Sequence, residues 1–127
     1  MRPNILTVDD SKALRRFVEQ ALSPFDCEVS EAANGYNAFF AIERARPDLI
    51  LLDISMPVMD GIETLTRLKA APELAGIPVI MLTSRADHVV IPQLATMGAG
   101  DSLMKPFTAA ALLAKIRPIL ELKLIKP

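Results

Sequence analysis

Hydrophobic residues along this chain form five short runs, and each run is followed by a segment of helical periodicity. The runs cover residues 4–8, 27–30, 49–54, 78–82 and 102–104. Runs of this length, rich in Ile, Leu and Val and bounded by turn residues, predict β-strands. The third and fourth runs are apolar at almost every position, which is typical of central parallel strands, whereas the second alternates with polar residues and suits a sheet edge.

Apolar residues at three- and four-residue spacing predict a helix after each strand. Proline residues mark several helix ends, because proline cannot continue the helical hydrogen-bond pattern. We expect the fourth helix to start late or bend at Pro92, to run to about Met97 and to close at Gly98. Thr108 is the predicted N-cap of the last helix, and Pro118 should end or bend it.

Five strands alternating with five helices predict an α/β fold in which helices cover both faces of a parallel sheet. Right-handed crossovers leave few arrangements. The flavodoxin-like (βα)5 fold, a doubly wound sheet with strand order 2-1-3-4-5, places the half-polar second strand at an edge. The chain contains no repeat or linker, so we predict a single domain over residues 1–127.

Polar residues follow four of the predicted strands at the points where those strands end. They are Asp9 and Asp10 after the first strand, Asp53 in the third, Thr83 after the fourth and Lys105 after the fifth. Ligands of open α/β sheets bind beyond the carboxyl ends of the strands. We therefore expect these side chains to meet at one rim of the sheet.

Three carboxylates at one rim repel one another, by about 4 kcal/mol per pair at a separation of about 4 Å and a dielectric constant of about 20. A divalent cation would relieve this repulsion, and a cluster of oxygen donors suits Mg²⁺. The lysine adds a positive charge and the threonine adds a hydroxyl donor. Such a set can stabilise a phosphoryl group in transfer, and a carboxylate can serve as the nucleophile.

Composition limits the other functions. Hydrophobic residues make up 51% of the chain, charged residues make up 23%, and the net charge is −1. This near-neutral charge disfavours nucleic acid and anionic membranes as partners. The single cysteine, Cys27, is predicted to be a buried apolar residue, and with one histidine, His88, a zinc site is not expected. Neither a secretion signal nor a membrane span is evident, so we expect a cytoplasmic protein.

Four segments together resemble a known family. They are ILTVDD at residues 5–10, PDLILLDISMPVMDG at 47–61, VIMLTS at 79–84 and GAGDSLMKPF at 98–107. In this order they resemble the receiver domain of two-component response regulators, of the CheY-like single-domain type. The resemblance covers essentially the whole chain.

The resemblance implies that Asp53 is the phosphoacceptor, with a histidine kinase or a phosphotransfer protein as donor. It also implies that Asp9, Asp10 and Asp53 hold Mg²⁺ together with the backbone carbonyl of Ser55. The domain would then be a phosphoacceptor that assists its own phosphoryl transfer and dephosphorylation, and not an enzyme with a separate substrate.

Other residues take their expected roles from the same resemblance. Thr83 would bond the phosphoryl oxygen, and Lys105 would pair with the phosphoryl group, with a cis peptide bond to Pro106. Ser102 stands where the family carries a switching aromatic residue, so the usual coupling between the threonine and that aromatic is altered. Ser55 and Arg85 occupy variable positions that would tune the lifetime of the phosphorylated form.

Two helices carry more apolar residues than one buried stripe requires. They are Val89, Val90, Ile91, Leu94 and Met97 in the fourth, and Leu112, Leu113, Ile116, Ile119 and Leu120 in the last. In the family, the face formed by helix 4, strand 5 and helix 5 contacts the output partner. These residues therefore indicate either a contact with an output protein or a second copy, or completion of the core beneath irregular helices.

The same fold could serve three other functions. A small Mg²⁺-dependent phosphatase with a carboxylate nucleophile could use the same aspartates, but the adjacent Asp9 and Asp10 do not match its usual spacing. A nucleotide or flavin carrier needs a phosphate cradle after the first strand, where this chain has two acidic residues. A scaffold that is never phosphorylated is supported by Ser102 alone.

Overall fold

The computed structural model describes residues 2–125. Within this range, five parallel strands form one sheet with the order β2-β1-β3-β4-β5. The strands are β1 (Asn4–Val8), β2 (Glu28–Ala32), β3 (Leu49–Asp53), β4 (Val79–Thr83) and β5 (Asp101–Met104). The helices are α1 (Lys12–Leu22), α2 (Gly35–Arg44), α3 (Gly61–Ala70), α4 (Ile91–Leu94) and α5 (Ala109–Ile116). The predicted flavodoxin-like α/β fold is confirmed.

The polarity of each strand matches its place in the sheet. Every residue of β1, β3 and β4 is buried, because neighbouring strands flank them and helices cover both their faces. β2 lies at an edge and exposes part of its side chains, as its alternating pattern predicts. No helix among residues 2–125 is long and apolar enough to span a membrane.

Two hydrophobic cores lie on the two faces of the sheet. One is formed with α1 and α5 and includes Val18, Leu22, Leu112 and Ile116. The other is formed with α2, α3 and α4 and includes Ala38, Ile42, Leu65, Leu68 and Leu94. Alternate residues of β1 enter different cores, because side chains of a strand point to opposite faces. Cys27 is buried in the first core, as predicted.

Four helices begin at a side chain that accepts a hydrogen bond from a backbone N–H group three residues later. These caps are Ser11, Asn34, Asp60 and Thr108. Each satisfies one of the N–H groups that the first turn of a helix leaves without a partner. The predicted cap at Thr108 is confirmed, and α5 ends at Ile116, before Pro118.

The prediction for the fourth helix was wrong in its length. A 3-10 turn over Arg85–Asp87 precedes α4, which spans only Ile91–Leu94 and does not continue to Met97. Pro92 lies in its first turn, where the missing N–H group breaks no helical bond. The chain then proceeds through turns to Gly98, whose φ of +101° explains the glycine there.

Val58 lies in a tight turn between β3 and α3. The backbone N–H of Met59 donates to the carbonyl of Pro57 at 2.7 Å, so the turn is centred on Val58. The φ angle of Val58 is +69°, in a region that β-branched residues rarely adopt. Its side chain is 80% exposed, so little packing compensates for the strain.

Replacing Val58 by asparagine should stabilise the domain, because asparagine tolerates a positive φ angle better than valine does. We expect the free energy of unfolding to rise by about 1 kcal/mol. Thermal unfolding followed by circular dichroism would measure the change. Val89→Asn is the matched control, since Val89 is also exposed but is not at a positive φ angle. A lower midpoint for Val58→Asn, or an equal rise in both variants, would contradict the strain argument.

Candidate functional site

Three carboxylates meet at the carboxyl end of the two central strands β1 and β3. Asp9 and Asp10 follow β1, and Asp53 is the last residue of β3, which pairs with β1. One oxygen from each of the three side chains lies within 4.8 Å of the others. Asp9 and Asp53 are buried, whereas Asp10 is exposed to solvent. The sheet therefore brings together the acidic residues that the sequence places at separate strand ends.

Lys105 links the two buried carboxylates. Its Nζ atom donates to Asp53 Oδ1 at 2.9 Å and to Asp9 Oδ2 at 3.1 Å. The peptide bond between Lys105 and Pro106 is cis, as the family resemblance implies. The ammonium group thus lies between Asp9 and Asp53 and offsets part of their repulsion.

Burial and neighbouring charges shift the pKa values of Asp53 and Lys105. Burial raises the pKa of the Asp53 carboxyl, and the charge of Asp9 raises it further, while the hydrogen bond from Lys105 opposes the change. Burial alone would lower the pKa of Lys105, but its hydrogen bonds to Asp53 and Asp9 raise it overall. Lys105 therefore remains positively charged. It lies beside the Asp53 carboxylate, whose ionised form is disfavoured by burial and by the charge of Asp9.

Backbone contacts fix the turn that carries Asp9 and Asp10. The N–H group of Asp9 donates to the carbonyl of Ala32 at 3.1 Å, and the N–H group of Ser11 donates to Asp9 Oδ1 at 2.8 Å. Arg15 Nη1 donates to the Asp9 carbonyl at 2.6 Å. Arg15 was not among the residues predicted for the site. The sequence does contain a signal for this contact. Arg15 lies one turn after the N-cap Ser11, and long helical side chains lean back toward the helix N-terminus, where the Asp9 carbonyl lies.

The loop after β3 adjoins the acidic cluster. Ser55 and Asp10 line the same open cavity of about 480 Å³, together with Ile54, Met56, Pro57 and Asp60. Gly61 closes this loop and donates its N–H group to the carbonyl of Ile54 at 2.7 Å. A Cβ atom at Gly61 would lie 2.1 Å from the Asp53 carbonyl oxygen. Glycine is therefore required for α3 to start this close to the end of β3.

The remaining predicted residues make contacts outside the acidic cluster, and Ser102 pairs with Met81 in the middle of β4, away from the rim. Thr83 is buried at the end of β4, and its hydroxyl donates to the carbonyl of Leu103 at 3.5 Å, the limit for a hydrogen bond. Arg85 is exposed at the start of the 3-10 turn. Ser102 is partly buried and lines a cavity of about 170 Å³ between α4 and β5.

The donor set fits a hard divalent cation. Carboxylate oxygens are the ligands that Mg²⁺ prefers, and Mg²⁺ usually retains several waters, for which the exposed side of Asp10 leaves room. The neighbouring ammonium group of Lys105 would repel a cation but attract an anion such as a phosphoryl group. The site therefore suits a metal ion together with a negatively charged group.

Comparison with known proteins places the chain in a family. The model of the response regulator receiver domain matches residues 5–117. The chain is 36% identical over 117 residues to the DNA-binding response regulator MtrA of Mycobacterium tuberculosis, an alignment that covers 92% of this chain and 50% of that protein. It is 38% identical over 128 residues to the response regulator PleD of Caulobacter vibrioides, covering 98% of this chain and 28% of PleD.

Solved structures show the same relationship. The chemotaxis response regulator CheY4 of Vibrio cholerae is similar with a TM-score of 0.86 and 32% identity, over 94% of this chain and 100% of that one. The chain spans about half the length of MtrA and less of PleD. The matched segment contains the acidic rim and all of the sheet except Asn4, and this chain belongs to the response regulator receiver family.

Proposed function

We propose that this domain is a phosphorylation switch in which Asp53 accepts a phosphoryl group at an Mg²⁺-dependent site. One observation carries the proposal: the buried carboxylate of Asp53 contacts Lys105 Nζ at 2.9 Å and lies within 4.8 Å of the carboxylates of Asp9 and Asp10. A carboxylate held between a fixed cation and a cation site is arranged to take up an anionic group.

The carboxylates of Asp9, Asp10 and Asp53 would hold Mg²⁺, with the backbone carbonyl of Ser55 as a further ligand. When bound, this ion neutralises charge on the phosphoryl oxygens. Support for the assignment comes from the all-oxygen donor set and from the cavity that Ser55 shares with Asp10. Membership of the receiver family supports the same assignment.

Phosphoryl transfer would use the side chains as follows. An oxygen of Asp53 forms a bond to phosphorus while the bond between phosphorus and the donor's leaving group breaks, and the electron pair stays with the leaving group. Lys105, kept positively charged by its raised pKa, then pairs with the new phosphoryl oxygens. Thr83 would give up its long bond to Leu103 at little cost and donate to a phosphoryl oxygen instead.

A histidine kinase or a phosphotransfer protein would supply the phosphoryl group, because receiver domains receive it from a phosphorylated histidine. This partner is inferred from the family alone. Family membership likewise supports a cytoplasmic site of action. The net charge of −1 supports the absence of direct nucleic-acid or membrane binding by this domain.

The output would be a phosphorylation-dependent contact through the face formed by α4, β5 and α5. Val89, in the turn before α4, and Met104, in β5, support this proposal, since they are apolar and 70% and 47% exposed. The apolar residues of α5 give less support, because Leu112 and Ile116 are buried in the core. CheY4, which this chain matches along its full length, is a chemotaxis response regulator, and by analogy the proposed partner is an output protein or a second copy of this domain.

Three residues would tune the switch. Ser102 cannot fill the space of an aromatic side chain, and it lines the cavity between α4 and β5. The shift of Thr83 would therefore be coupled to the repacking of this cavity and not to the rotation of a ring. Exposed Ser55 and Arg85, which flank the rim after β3 and β4, would adjust how long the phosphoryl group persists.

Incubation with a small acyl phosphate and Mg²⁺ should add one phosphoryl group to the wild type and none to Asp53→Asn, as read by intact mass. Asp26→Asn should behave as the wild type, because Asp26 is an exposed aspartate that is paired with Arg2 away from the rim. Equal adduct in Asp53→Asn would remove Asp53 from its proposed role. Turnover of a phosphate ester would support the phosphatase, and no adduct on the wild type would support the scaffold.

Mg²⁺ should raise the thermal stability of the wild type, because the ion binds the folded acidic cluster and not the unfolded chain. At about a hundred times its dissociation constant, the ion adds about 2.7 kcal/mol to the free energy of unfolding. Asp53→Asn should gain less from Mg²⁺ and should be more stable than the wild type in a chelator, because it lacks a buried charge. Thermal unfolding with Mg²⁺, and with K⁺ at equal ionic strength, tests both statements. An equal gain from both salts would contradict the metal site.

A further inference from the structure

Arg15 connects the turn that carries Asp9 and Asp10 to the edge strand β2. Its Nη1 atom donates to the Asp9 carbonyl at 2.6 Å, and its Nε atom donates to Glu31 Oε1 at 2.6 Å. The Arg15 side chain is only 14% exposed, whereas that of Glu31 is 55% exposed. The planar guanidinium group is therefore held at two points, one of which is a backbone atom of the acidic turn.

The Asp9 carbonyl belongs to the peptide unit that joins the two adjacent aspartates. The orientation of this unit decides where the side chain of Asp10 starts and hence how near its carboxylate lies to those of Asp9 and Asp53. The side chain of Asp9 has its own anchors, the N–H group of Ser11 and the ammonium group of Lys105. Asp10 is exposed, so its position depends more strongly on the backbone.

We propose that Arg15 is a positioning residue for the divalent cation site, acting through the Asp9 carbonyl on the geometry of Asp9 and Asp10. The inference rests on the proposed Mg²⁺ site and adds a residue that does not itself touch the ion. Its partner Glu31 has a second role in this arrangement. By pairing with the guanidinium, Glu31 offsets a positive charge that would otherwise weaken cation binding at the rim.

Two possible roles of Arg15 predict opposite changes in Mg²⁺ affinity when the residue is replaced. If Arg15 acted only as a charge, its loss would remove repulsion and strengthen Mg²⁺ binding. If it positions the turn, its loss would weaken binding, because the two carboxylates would no longer be held at the spacing that the ion requires. The sign of the change in affinity therefore separates the two roles.

The experiment compares Arg15→Gln, Arg15→Lys and the control Arg16→Gln in the full chain, with Mg²⁺ affinity measured by calorimetry. Arg16 is the next residue of α1 and is exposed, so its replacement removes the same charge from the same helix. We expect Arg15→Gln to bind Mg²⁺ about tenfold more weakly than the wild type, a loss typical of residues that orient metal ligands. Arg15→Lys keeps the charge but lacks the planar fork that directs one N–H group to the Asp9 carbonyl and another to Glu31, so it should also bind Mg²⁺ more weakly. Arg16→Gln should bind as tightly as the wild type or more tightly.

The backbone amide of Ser11 provides a second readout that overall stability does not control. Its N–H group donates to Asp9 Oδ1, so its proton chemical shift reports the geometry of the turn. We expect this shift to change in both Arg15 variants and not in Arg16→Gln. If Arg15→Gln fails to fold, as judged by circular dichroism, Arg15→Lys provides the test.

Unchanged or tighter Mg²⁺ binding in the folded Arg15 variants would overturn the role of Arg15 and leave the phosphorylation switch intact. Failure of the wild type to bind Mg²⁺ would overturn the metal site itself. Normal Mg²⁺ binding by the wild type without phosphorylation would instead count against the proposed function alone. The three results are distinguishable because affinity and adduct formation are measured separately.

Discussion

The arrangement of the rim depends on one electrostatic constraint, the placing of two buried carboxylates at the ends of adjacent central strands. Asp9 and Asp53 are both buried, and burying a charge is costly unless an opposite charge accompanies it. Lys105 supplies that charge and bonds to both carboxylates. With Asp10 nearby, one ammonium group faces three carboxylates, so two negative charges are left, which a divalent cation matches.

The rest of the fold keeps these groups in place. Two hydrophobic cores clamp β1 and β3 from both sides, so the ends of these strands have little freedom to separate. The start of α3 packs on the Asp53 carbonyl through Gly61, and α1 reaches the acidic turn through Arg15. The acceptor residue is therefore held by the backbone as well as by its charged neighbours.

Much of this organisation was readable from the sequence, because it depends on local patterns and on one rule of topology. Apolar runs identify the strands, and the rule for the carboxyl ends of parallel strands brings Lys105 to Asp9 across 96 positions of sequence. The length of α4 was not predicted, because turns on both sides of residues 91–94 replace a longer regular helix. Arg15 was missed because its partners are a backbone carbonyl and an exposed glutamate on another strand. Nothing in the sequence predicts the positive φ angle of Val58, since valine is among the residues that least often adopt a positive φ angle.

The exposure of Asp10 has a consequence for the order of events at the rim. Asp9 and Asp53 are enclosed, while Asp10 borders the open cavity that Ser55 also lines. An ion can enter or leave along this corner without any opening of the sheet. A protein that docks across this corner would enclose an ion that is already bound and would block the entry of an ion afterwards. Loading of the cation would then have to come before docking, and the concentration of free cation would set how many molecules are ready to receive a partner.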